Sequence, residues 1–415
     1  MYIKNINLTN FRNYGRIDLD VGPSVNIIYG NNAQGKTNLI EAVNVCSCIS
    51  SHRTSKDRDL IKFGENEYMT HLELHDDMYN SDTSISAAFY TESSEYNSNS
   101  AARRELKHDG IVINKISEYM GICNTVIFAP EDLNLVKGAP SSRRKFLNML
   151  ISKVSPVYYD ALNRTNRLIN QKNASLKSFK GDINKADNNI LDFWDFSLAE
   201  LSAEMIMFRY RFTKMLSHKA SSHHSVISDG KEVLTISYST IGGSVELLER
   251  SFDSEEELHT FIDGTLSEAN YARIKTILSE HILNKLRSSR KYDVEKGVSV
   301  FGIHRDDLDI KLNGLSMKTY CSQGQQRSAA LSVKLSELQI IKEFTSSAPI
   351  LLLDDVFSEL DSGRRVSLLS GMKDAQIFIT CTDREYIENE LAKFLLTDVD
   401  PVFFRVTSGS CVRED

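Results

Sequence analysis

Cysteine is scarce in this sequence, and the spacing of the few that occur excludes the usual zinc sites. No two pairs form CxxC units, because the cysteines lie at Cys46, Cys48, Cys123, Cys321, Cys381 and Cys411. The amino-terminal segment "MYIKNINLTNF" alternates like a strand and lacks the charged, then apolar pattern of a signal peptide. No apolar run approaches the roughly 18 residues of a membrane span. We therefore expect a reduced, cytosolic protein without membrane contact.

A positive net charge is missing as well. The chain has a formal net charge of -7 at pH 7, which argues against a protein that coats nucleic acid through bulk charge. Contact with DNA would need a local basic patch, because lysine and arginine that neutralise phosphates supply sequence-independent affinity. The candidate patches are three short clusters: Arg53, Lys56 and Arg58; Arg143, Arg144 and Lys145; and Lys172, Lys177 and Lys180.

Internal repeats and long heptad runs are also absent from the chain. Its 415 residues are enough for two or three domains, or for one domain with a large insertion. Alternating apolar and polar residues predict strands near the amino terminus and an antiparallel meander over 68–128. Apolar residues at three- and four-residue spacings predict helices over 141–224, and alternation of strand and helix returns after 295.

The segment "GNNAQGKT", Gly30 to Thr37, matches the phosphate-binding loop pattern GxxxxGK[ST]. It follows the apolar run "SVNIIYG" and precedes a helical pattern, which is the order of strand, loop and helix that such a loop requires. Inward-turned backbone amides and the helix N-terminus favour bound phosphate. In this pattern Lys36 reaches the β- and γ-phosphates of a nucleotide, and Thr37 binds Mg²⁺.

A second, acidic element would complete the magnesium site. In "ILLLDDVFSELD", four apolar residues predict a buried strand with Asp354 and Asp355 at its carboxyl end, where ligands bind in open α/β sheets. Asp354 is the candidate Mg²⁺ holder, and Asp355 is the candidate group that orients the attacking water. Roughly 300 residues separate Lys36 from Asp354, which is too many for a simple loop, so an inserted domain must lie between them.

The stretch "CSQGQQR", Cys321 to Arg327, contains no group suited to acid-base chemistry. It lies at the start of an amphipathic helix that leads into the aspartate strand. A Ser-x-Gly-Gln loop in this position presents amide hydrogens and a hydroxyl to an anion. The phosphates of the chain's own nucleotide already have a cradle, which leaves this loop without an anion of its own.

In their order along the chain, these motifs resemble those of ATPases of the ABC and SMC type, and within that class the RecF family. The resemblance covers nearly the whole chain and rests on "LTNFRNY", "GNNAQGKTNLIEAV", "SHRTSKDRDLI", "FAPEDLNLVKGAPSSRRKFL", "GIHRDDL", "CSQGQQRSAAL" and "LLLDDVFSELD". It implies an α/β, ABC/SMC-like P-loop ATPase head, with a mixed β-sheet, flanking helices and an antiparallel β lobe. A mainly helical arm domain is inserted at 139–294, between parts of the head at 1–138 and 295–415.

The resemblance also implies which residues form the site. Lys36, Asp354 and Asp355 are the predicted catalytic residues, and Thr37 and Asp354 the predicted Mg²⁺ ligands. Thr380 or Thr382 would occupy the switch position after the last strand. The predicted ATP-binding residues are Arg12, Gly30, Asn31, Asn32, Ala33, Gln34, Gly35, Lys36, Thr37 and Asn38, with Ser322, Gly324 and Gln325 acting across a dimer.

The function implied by the resemblance is recombinational gap repair and replication restart. The family implies an ATP-dependent homodimer that binds gapped DNA at single-strand/double-strand junctions and works with RecR and RecO to load RecA. Asp355 stands where most ABC ATPases carry glutamate, so we expect slow hydrolysis that opens the dimer. Ala33 stands where the family's loops usually carry glycine, which we expect to be tolerated only if the backbone angle is ordinary.

Three other functions remain as alternatives. A structural DNA tether of the SMC kind would need a far longer heptad insertion than this chain contains. An ATPase linked to a nuclease would need a further acidic domain, for which the chain after "ITCTD" leaves no room. A stand-alone small-molecule kinase would not explain the loop "SQGQ".

Overall fold

The structure, a computed structural model, describes residues 1–95, 101–183, 188–360, 363–365, 368, 375–385, 387–389 and 401–414. The strands within these residues are β1 (Tyr2–Phe11), β2 (Tyr14–Asp20), β3 (Val25–Tyr29), β4 (Glu67–Asp76), β5 (Ser81–Tyr90), β6 (Arg103–His108), β7 (Ile111–Val112), β8 (Thr125–Phe128), β9 (Leu234–Ser239), β10 (Asp307–Leu312), β11 (Leu315–Ser316), β12 (Ile350–Asp354), β13 (Ile377–Cys381), β14 (Val402–Thr407) and β15 (Ser410–Glu414).

The helices within the same residues are α1 (Lys36–Cys48), α2 (Ile116–Tyr119), α3 (Leu133–Lys137), α4 (Pro140–Val154), α5 (Pro156–Ser178), α6 (Asn188–Ile227), α7 (Ser244–Arg250), α8 (Glu255–Asp263), α9 (Glu268–Lys296), α10 (Met317–Tyr320), α11 (Gln323–Thr345) and α12 (Val356–Glu359). None of these described helices is long and apolar enough to span a bilayer. A helix is also predicted near 362–372, and most of that range lies outside the described residues.

Contacts among the described residues divide the chain into two compact units. The first unit contains residues 1–133 and 330–415, and the second contains 134–329. The predicted carboxy-terminal part of the head begins at 295, whereas the observed contacts assign 295–329 to the second unit. The physical reason is strand pairing, because β10 pairs along its whole length with β9 of the helical segment.

The first sheet of the first unit is antiparallel and has the strand order β2-β1-β4-β5-β6-β7. Strands β4 to β7 follow one another as the predicted meander. The segment "NTVIFA" was expected to belong to this meander, and that expectation is wrong. Its strand β8 instead pairs in parallel with β12 of the other sheet, where three of its four residues are buried.

The second sheet of the first unit has the order β15-β14-β3-β13-β12-β8. Its strands are parallel except for β15, which forms an antiparallel hairpin with β14. Every residue of β12 and β13 is buried, as is usual for central parallel strands covered on both faces. Helix α1 contacts strands of both sheets, and all but two of its residues are buried. The helix that begins at Lys36 is therefore held firmly in the core.

The second unit is mainly helical, and its helix ends follow local sequence signals. Ser155 caps α5, where its hydroxyl accepts from the Tyr158 amide at 3.2 Å, and Pro156 occupies the first helical position. Gly297 ends α9 in the left-handed conformation, with φ of 66°. Helices α4, α5 and α9 pack against the 40-residue α6, which is about 60 Å long at 1.5 Å per residue. The three-stranded sheet β11-β10-β9 completes this unit.

Candidate nucleotide site

The predicted phosphate-binding loop joins β3 to α1, as its pattern requires. Gly30 has φ of 148°, and a side chain there would meet the Val406 carbonyl oxygen at 2.4 Å. Gly35 has φ of 122°, and a side chain there would meet the side-chain nitrogen of Asn13, Nδ2, at 2.6 Å. Both positions combine a backbone angle that favours glycine with a close neighbour. The two glycines are therefore needed to place the loop against the strands around it.

Ala33 occupies the middle of this loop, and the condition for tolerating alanine there, an ordinary backbone angle, is not met. Its φ is 64°, which lies in the left-handed region that non-glycine residues adopt at a cost. Its side chain is exposed, so no packing contact favours alanine over glycine. The family's usual glycine would suit this angle better.

We therefore expect Ala33→Gly to raise the free energy of unfolding by about 0.5–1 kcal/mol, because relief of the left-handed strain exceeds the added entropy of the unfolded chain. Urea denaturation would measure the change. Asn32→Gly is the matched control, since Asn32 is also exposed and its φ is not positive; this variant should lose stability. Equal losses in the two variants would show that position 33 is unstrained.

Lys36, Thr37 and Asp354 meet at the mouth of the loop. The Lys36 amino group donates to the carbonyls of Gly30 and Asn31 at 2.6 and 2.9 Å. Burial lowers the pKa of Lys36, and the charges of Asp355 and Asp354 act in the opposite direction. The Thr37 hydroxyl donates to Asp354 Oδ1 at 2.9 Å. The structure thus brings together residues that are more than 300 positions apart in the chain, as the sequence predicts.

Thr380, one of the two residues predicted for the switch position, forms hydrogen bonds with both aspartates. Its hydroxyl donates to Asp354 Oδ1 at 2.8 Å and accepts from the Asp355 amide at 2.9 Å. Asp354 is 5% exposed, and burial raises its pKa while hydrogen bonds from Thr380 and Thr37 oppose the rise. Asp355 is exposed and has φ of 53°. Of the motif "SELD" that follows, Asp361 and the side chains of Ser358 and Glu359 lie outside the described residues.

The donor atoms at this point fit Mg²⁺. The Thr37 hydroxyl and the Asp354 carboxylate are oxygen ligands, and Mg²⁺ prefers oxygen from one or two protein groups together with phosphates and water. Their 2.9 Å separation brings both oxygens to one place. Thr37 and Asp354 would hold the ion, and the ion would neutralise phosphate charge.

Arg12 is engaged in a buried ion pair beside the loop. Its guanidinium donates two hydrogen bonds of 2.9 Å to Glu41, whose side chain is 0% exposed. Glu41 also accepts from Ser51 at 2.5 Å and from Arg53 at 3.4 Å. Although burial alone would raise it, the hydrogen bonds from Arg12 and Ser51 hold the pKa of Glu41 below its usual value. The predicted contact of Arg12 with nucleotide phosphate stays a prediction.

Two turns fix the remainder of the loop. The Asn13 side chain of the β1-β2 turn donates to the Gln34 carbonyl at 2.8 Å and accepts from Asn38 at 2.8 Å. In the β14-β15 turn, the backbone amide of Ser408 donates to the Gln34 side chain at 2.6 Å and that of Gly409 donates to the Gln34 carbonyl at 3.1 Å. The side chains of Gln34 and Asn38, both predicted to bind ATP, therefore support the loop in this structure.

The signature loop, Cys321 to Arg327, lies in the second unit and begins α11. The Ser322 hydroxyl accepts from the Gln325 amide at 3.3 Å, and the Gln325 side-chain oxygen accepts from the Ser322 amide at 2.8 Å. These reciprocal bonds form a capping box, the S-x-x-Q arrangement that satisfies two amides at a helix start. Ser322 is exposed, while Gly324 and Gln325 are partly exposed. The loop thus has a defined conformation within its own unit.

The prediction of DNA contact is wrong for one residue in each of two basic clusters, Arg143 and Lys172. Arg143 is 7% exposed and donates two hydrogen bonds of 2.7 Å to Asp307. Lys172 is fully buried and lies 2.8 Å from Asp195 and 3.1 Å from Asp293. In the sequence, a run of positive charge predicts a solvent-facing patch. In the structure, these two side chains are buried because they pair with acidic residues elsewhere in the chain. Neither can contact DNA phosphates.

The sequence analysis missed several residues that support the site. Glu41 could have been found, because a carboxylate in the apolar helical run "NLIEAVNV" needs a buried partner. The capping box could have been read from the spacing of Ser322 and Gln325. Glu232, described below, carries no local signal, because its contact with the signature loop joins distant parts of the chain.

Comparison with known proteins agrees with this geometry. Residues 2–399 match the family model described as RecF/RecN/SMC N terminal domain. "DNA replication and repair protein RecF" of Clostridium acetobutylicum is 36% identical over 409 residues, covering 99% of each chain. The protein of the same name from Acetivibrio thermocellus is 37% identical over 409 residues, again covering 99% of each.

Two solved structures of the recombination mediator protein RecF in the RecFOR pathway are also similar. The one with ATPrS has a TM-score of 0.79 at 32% identity and covers 99% of this chain and 98% of that chain. The one with ATP has a TM-score of 0.78 at 32% identity and covers 100% and 99%. The predicted fold, an ABC/SMC-like head with a helical arm, is confirmed. With relatives of this identity along its whole length, the chain belongs to the RecF family.

Proposed function

We propose that this protein is an ATP-dependent DNA-binding protein of gap repair and replication restart, in which ATP holds two copies together around DNA. The observation that carries the proposal is the hydrogen bond between Thr37 of the phosphate-binding loop and Asp354. It joins the two halves of a nucleotide site across the inserted helical segment. The relatives are named for DNA replication and repair, and a similar structure contains ATP.

Each residue of the loop would have a distinct task. Lys36 would exchange its two carbonyl contacts for β- and γ-phosphate oxygens, which form stronger, charge-assisted bonds. Thr37 and Asp354 would hold Mg²⁺, and Asp355 would orient the attacking water. The aspartate is one methylene shorter than the usual glutamate, so turnover would be slow and ATP would act mainly as a binding switch.

A second copy would complete the site. Within one chain, the phosphate-binding loop already supplies the cradle, whereas the signature loop presents an exposed Ser322 at a helix N-terminus, an arrangement that attracts anions. In a twofold dimer each signature loop would cap the γ-phosphate held by its partner. ATP would favour this closed state only because it binds that state better.

Family membership supports the proposed DNA and protein partners. The two solved relatives belong to the RecFOR pathway, which supports cooperation with RecR and RecO and, through them, the loading of RecA. The preferred DNA would be gapped, with a single-strand/double-strand junction. With a net charge of -7, the protein would rely on local basic residues and on closure of the dimer for affinity.

The experiment that tests the proposal is the mass of the protein in solution. We expect a monomer without nucleotide, a dimer with ATP, and a dimer bound to DNA when ATP and gapped duplex are both present. Sedimentation velocity would measure all three states. A monomer under every condition would refute the proposal.

Ser322→Arg tests the role of the signature loop across the dimer. The arginine would add bulk where the partner's phosphates must approach, so we expect the ATP-dependent dimer to weaken at least about 100-fold. Binding of ATP to the monomer should be unchanged, which a fluorescent ATP analogue would measure. Ser322→Ala is the comparison without added bulk. It removes the hydroxyl from both the cap and the proposed phosphate contact, costs about 1 kcal/mol of helix stability, and should weaken the dimer less than Ser322→Arg. A Ser322→Arg protein that dimerises like the parent would refute the trans contact.

A further inference from the structure

A chain of hydrogen bonds leads from the core of the second unit to the signature loop. The Gln325 side-chain nitrogen donates to Glu232 Oε1 at 2.7 Å. The other carboxylate oxygen, Glu232 Oε2, lies 3.0 Å from His224 Nε2. The His224 side chain is 0% exposed and that of Glu232 is 22% exposed. His224 lies in the last turn of α6, and Glu232 lies in the turn between α6 and β9.

Glu232 decides which way the amide of Gln325 points. An ionised carboxylate only accepts hydrogen bonds, so it favours the amide orientation that turns the NH₂ group toward Glu232. The amide oxygen then faces the backbone amide of Ser322, from which it accepts at 2.8 Å. In the flipped orientation, oxygen would face carboxylate and NH₂ would face N–H, and both contacts would be repulsive. Glu232 thereby selects the orientation that closes the capping box.

His224 in turn fixes Glu232. Because a carboxylate only accepts, the ring nitrogen at 3.0 Å is the donor. The imidazole is fully enclosed at the end of a helix and cannot swing away from Glu232. The signature loop is therefore held by the body of the helical unit as well as by its own backbone.

We infer that Glu232 and His224 are positioning residues of the signature loop, which hold Gln325 so that Ser322 and the first amides of α11 are arranged for the nucleotide of a second copy. The inference rests on the proposed function. Both ends of the Gln325 side chain are used within its own unit, so Gln325 acts by shaping the loop. The part that meets the partner's phosphate is Ser322 with the neighbouring backbone.

The size of the effect follows from the bonds involved. Loss of one hydrogen bond to a charged group, with the side chain left to reorient, would weaken the binding surface roughly 10-fold for each loop. A twofold dimer contains two such loops. Glu232→Ala should therefore weaken the ATP-dependent dimer on the order of 100-fold.

The test compares Glu232→Ala, Glu232→Gln and Lys231→Ala with the parent in the full-length protein. The dimer dissociation constant at saturating ATP, the ATP affinity of the monomer and the thermal unfolding temperature would be measured for each. We expect Glu232→Ala to weaken the dimer and to leave the ATP affinity of the monomer unchanged. The unfolding temperature should fall slightly, because the buried His224 loses this partner. Glu232→Gln keeps an oxygen that accepts from Gln325 but no longer selects the amide orientation. Its dimer dissociation constant should therefore lie between those of the parent and of Glu232→Ala. Lys231→Ala is the matched control, since that exposed lysine forms an ion pair with the exposed Asp229 at 3.6 Å and none with Gln325 or His224. This variant should dimerise like the parent.

The Ser322→Arg protein separates failure of this inference from failure of the proposed function. If Ser322→Arg retains the ATP-dependent dimer, the signature loop does not act in trans and the proposed function itself fails. If Ser322→Arg loses the dimer while Glu232→Ala keeps it within about threefold of the parent, the inference is overturned. It is equally overturned if Glu232→Ala dimerises less only in proportion to a loss of folded protein.

Discussion

Replacement of Arg209 by alanine is expected to lower the free energy of unfolding of the helical unit by about 3–5 kcal/mol, the cost of removing one partner from a buried ion pair. Arg209 is 2% exposed. Its guanidinium donates to Tyr158 at 3.0 Å, to the Ile303 carbonyl at 2.8 Å, to Asn148 at 2.9 Å and to Asp306 at 3.2 Å. One side chain therefore joins α4, α5 and α6 to the segment before β10.

The cost arises mainly at Asp306. That carboxylate is 3% exposed and also accepts a short hydrogen bond from Tyr238. Burial raises the pKa of Asp306 to about 6 from its ordinary 3.8, even though Arg209 lowers it. Without Arg209 the buried carboxylate would lose its counter-charge. Burial of an uncompensated charge, more than the lost hydrogen bonds, makes this substitution severe.

The pH dependence of stability gives an independent check. The folded pKa of Asp306 lies above the unfolded value, so binding of a proton to Asp306 stabilises the folded state. This contribution to the free energy of unfolding is fully present below about pH 4 and is lost as the pH rises through about 6. In Arg209→Ala the folded pKa of Asp306 rises further, so this stabilising contribution persists to higher pH. Guanidinium denaturation should therefore show a smaller deficit at pH 5 than at pH 8.

Arg305→Ala is the matched control for Arg209→Ala. Arg305 precedes Asp306 in the "GIHRDD" motif, but it is exposed, and among the described residues its side chain donates one long hydrogen bond, 3.4 Å to the Ser299 carbonyl. Its loss should change stability by less than about 0.5 kcal/mol. Similar stabilities for the Arg209 and Arg305 variants would show that the buried pair does not support the helical unit.

Lys36→Met is expected to abolish the ATP-dependent dimer. Lys36 is 8% exposed and carries the positive charge in the mouth of the phosphate-binding loop. Loss of several charge-assisted bonds to phosphate should reduce ATP affinity at least about 100-fold. Methionine nearly matches the length and volume of lysine, so the fold should persist. Isothermal titration with ATP and sedimentation velocity would measure the two losses.

Asp355→Asn is the informative partner of that variant. The residue is exposed with φ of 53°, and asparagine tolerates this left-handed angle. The Asp355→Asn protein should bind ATP and form the closed dimer. The dimer should then remain closed, because the attacking water is no longer oriented and ATP is not hydrolysed.

If Lys36→Met still dimerised with ATP, the role of ATP in joining two copies would be refuted.

The geometry of the candidate nucleotide site could be predicted in large part from the sequence, because the expected chemistry restricts both residue type and local structure. The loop from Gly30 to Thr37 needs a strand before it and a helix after it, and both are present. Asp354 needs the end of a buried parallel strand, and β12 supplies it. The long interval between the halves indicated the inserted unit without any homologous structure.

What could not be predicted depends on contacts between distant parts of the chain. The left-handed angle of Ala33 is set by the loop's surroundings and leaves no trace in residue type. Arg143 and Lys172 look like solvent-facing charges until Asp307 and Asp293 are known to lie against them. Strand β10 lies in the predicted carboxy-terminal part of the head, and its pairing with β9 of the helical segment could not be read from the sequence.

The order of the strands in the second sheet has a consequence for how the protein is made. Strand β3 pairs with β13 and β14, and β8 pairs with β12. Neither early strand can pair until residues after 349 have been synthesised. At about 5–20 residues per second, the roughly 320 residues between β3 and β12 take on the order of tens of seconds to synthesise. The antiparallel sheet can form on the ribosome during that time, whereas the nucleotide site cannot. A nascent or truncated chain would carry the phosphate loop without Asp354, so only finished molecules would respond to ATP.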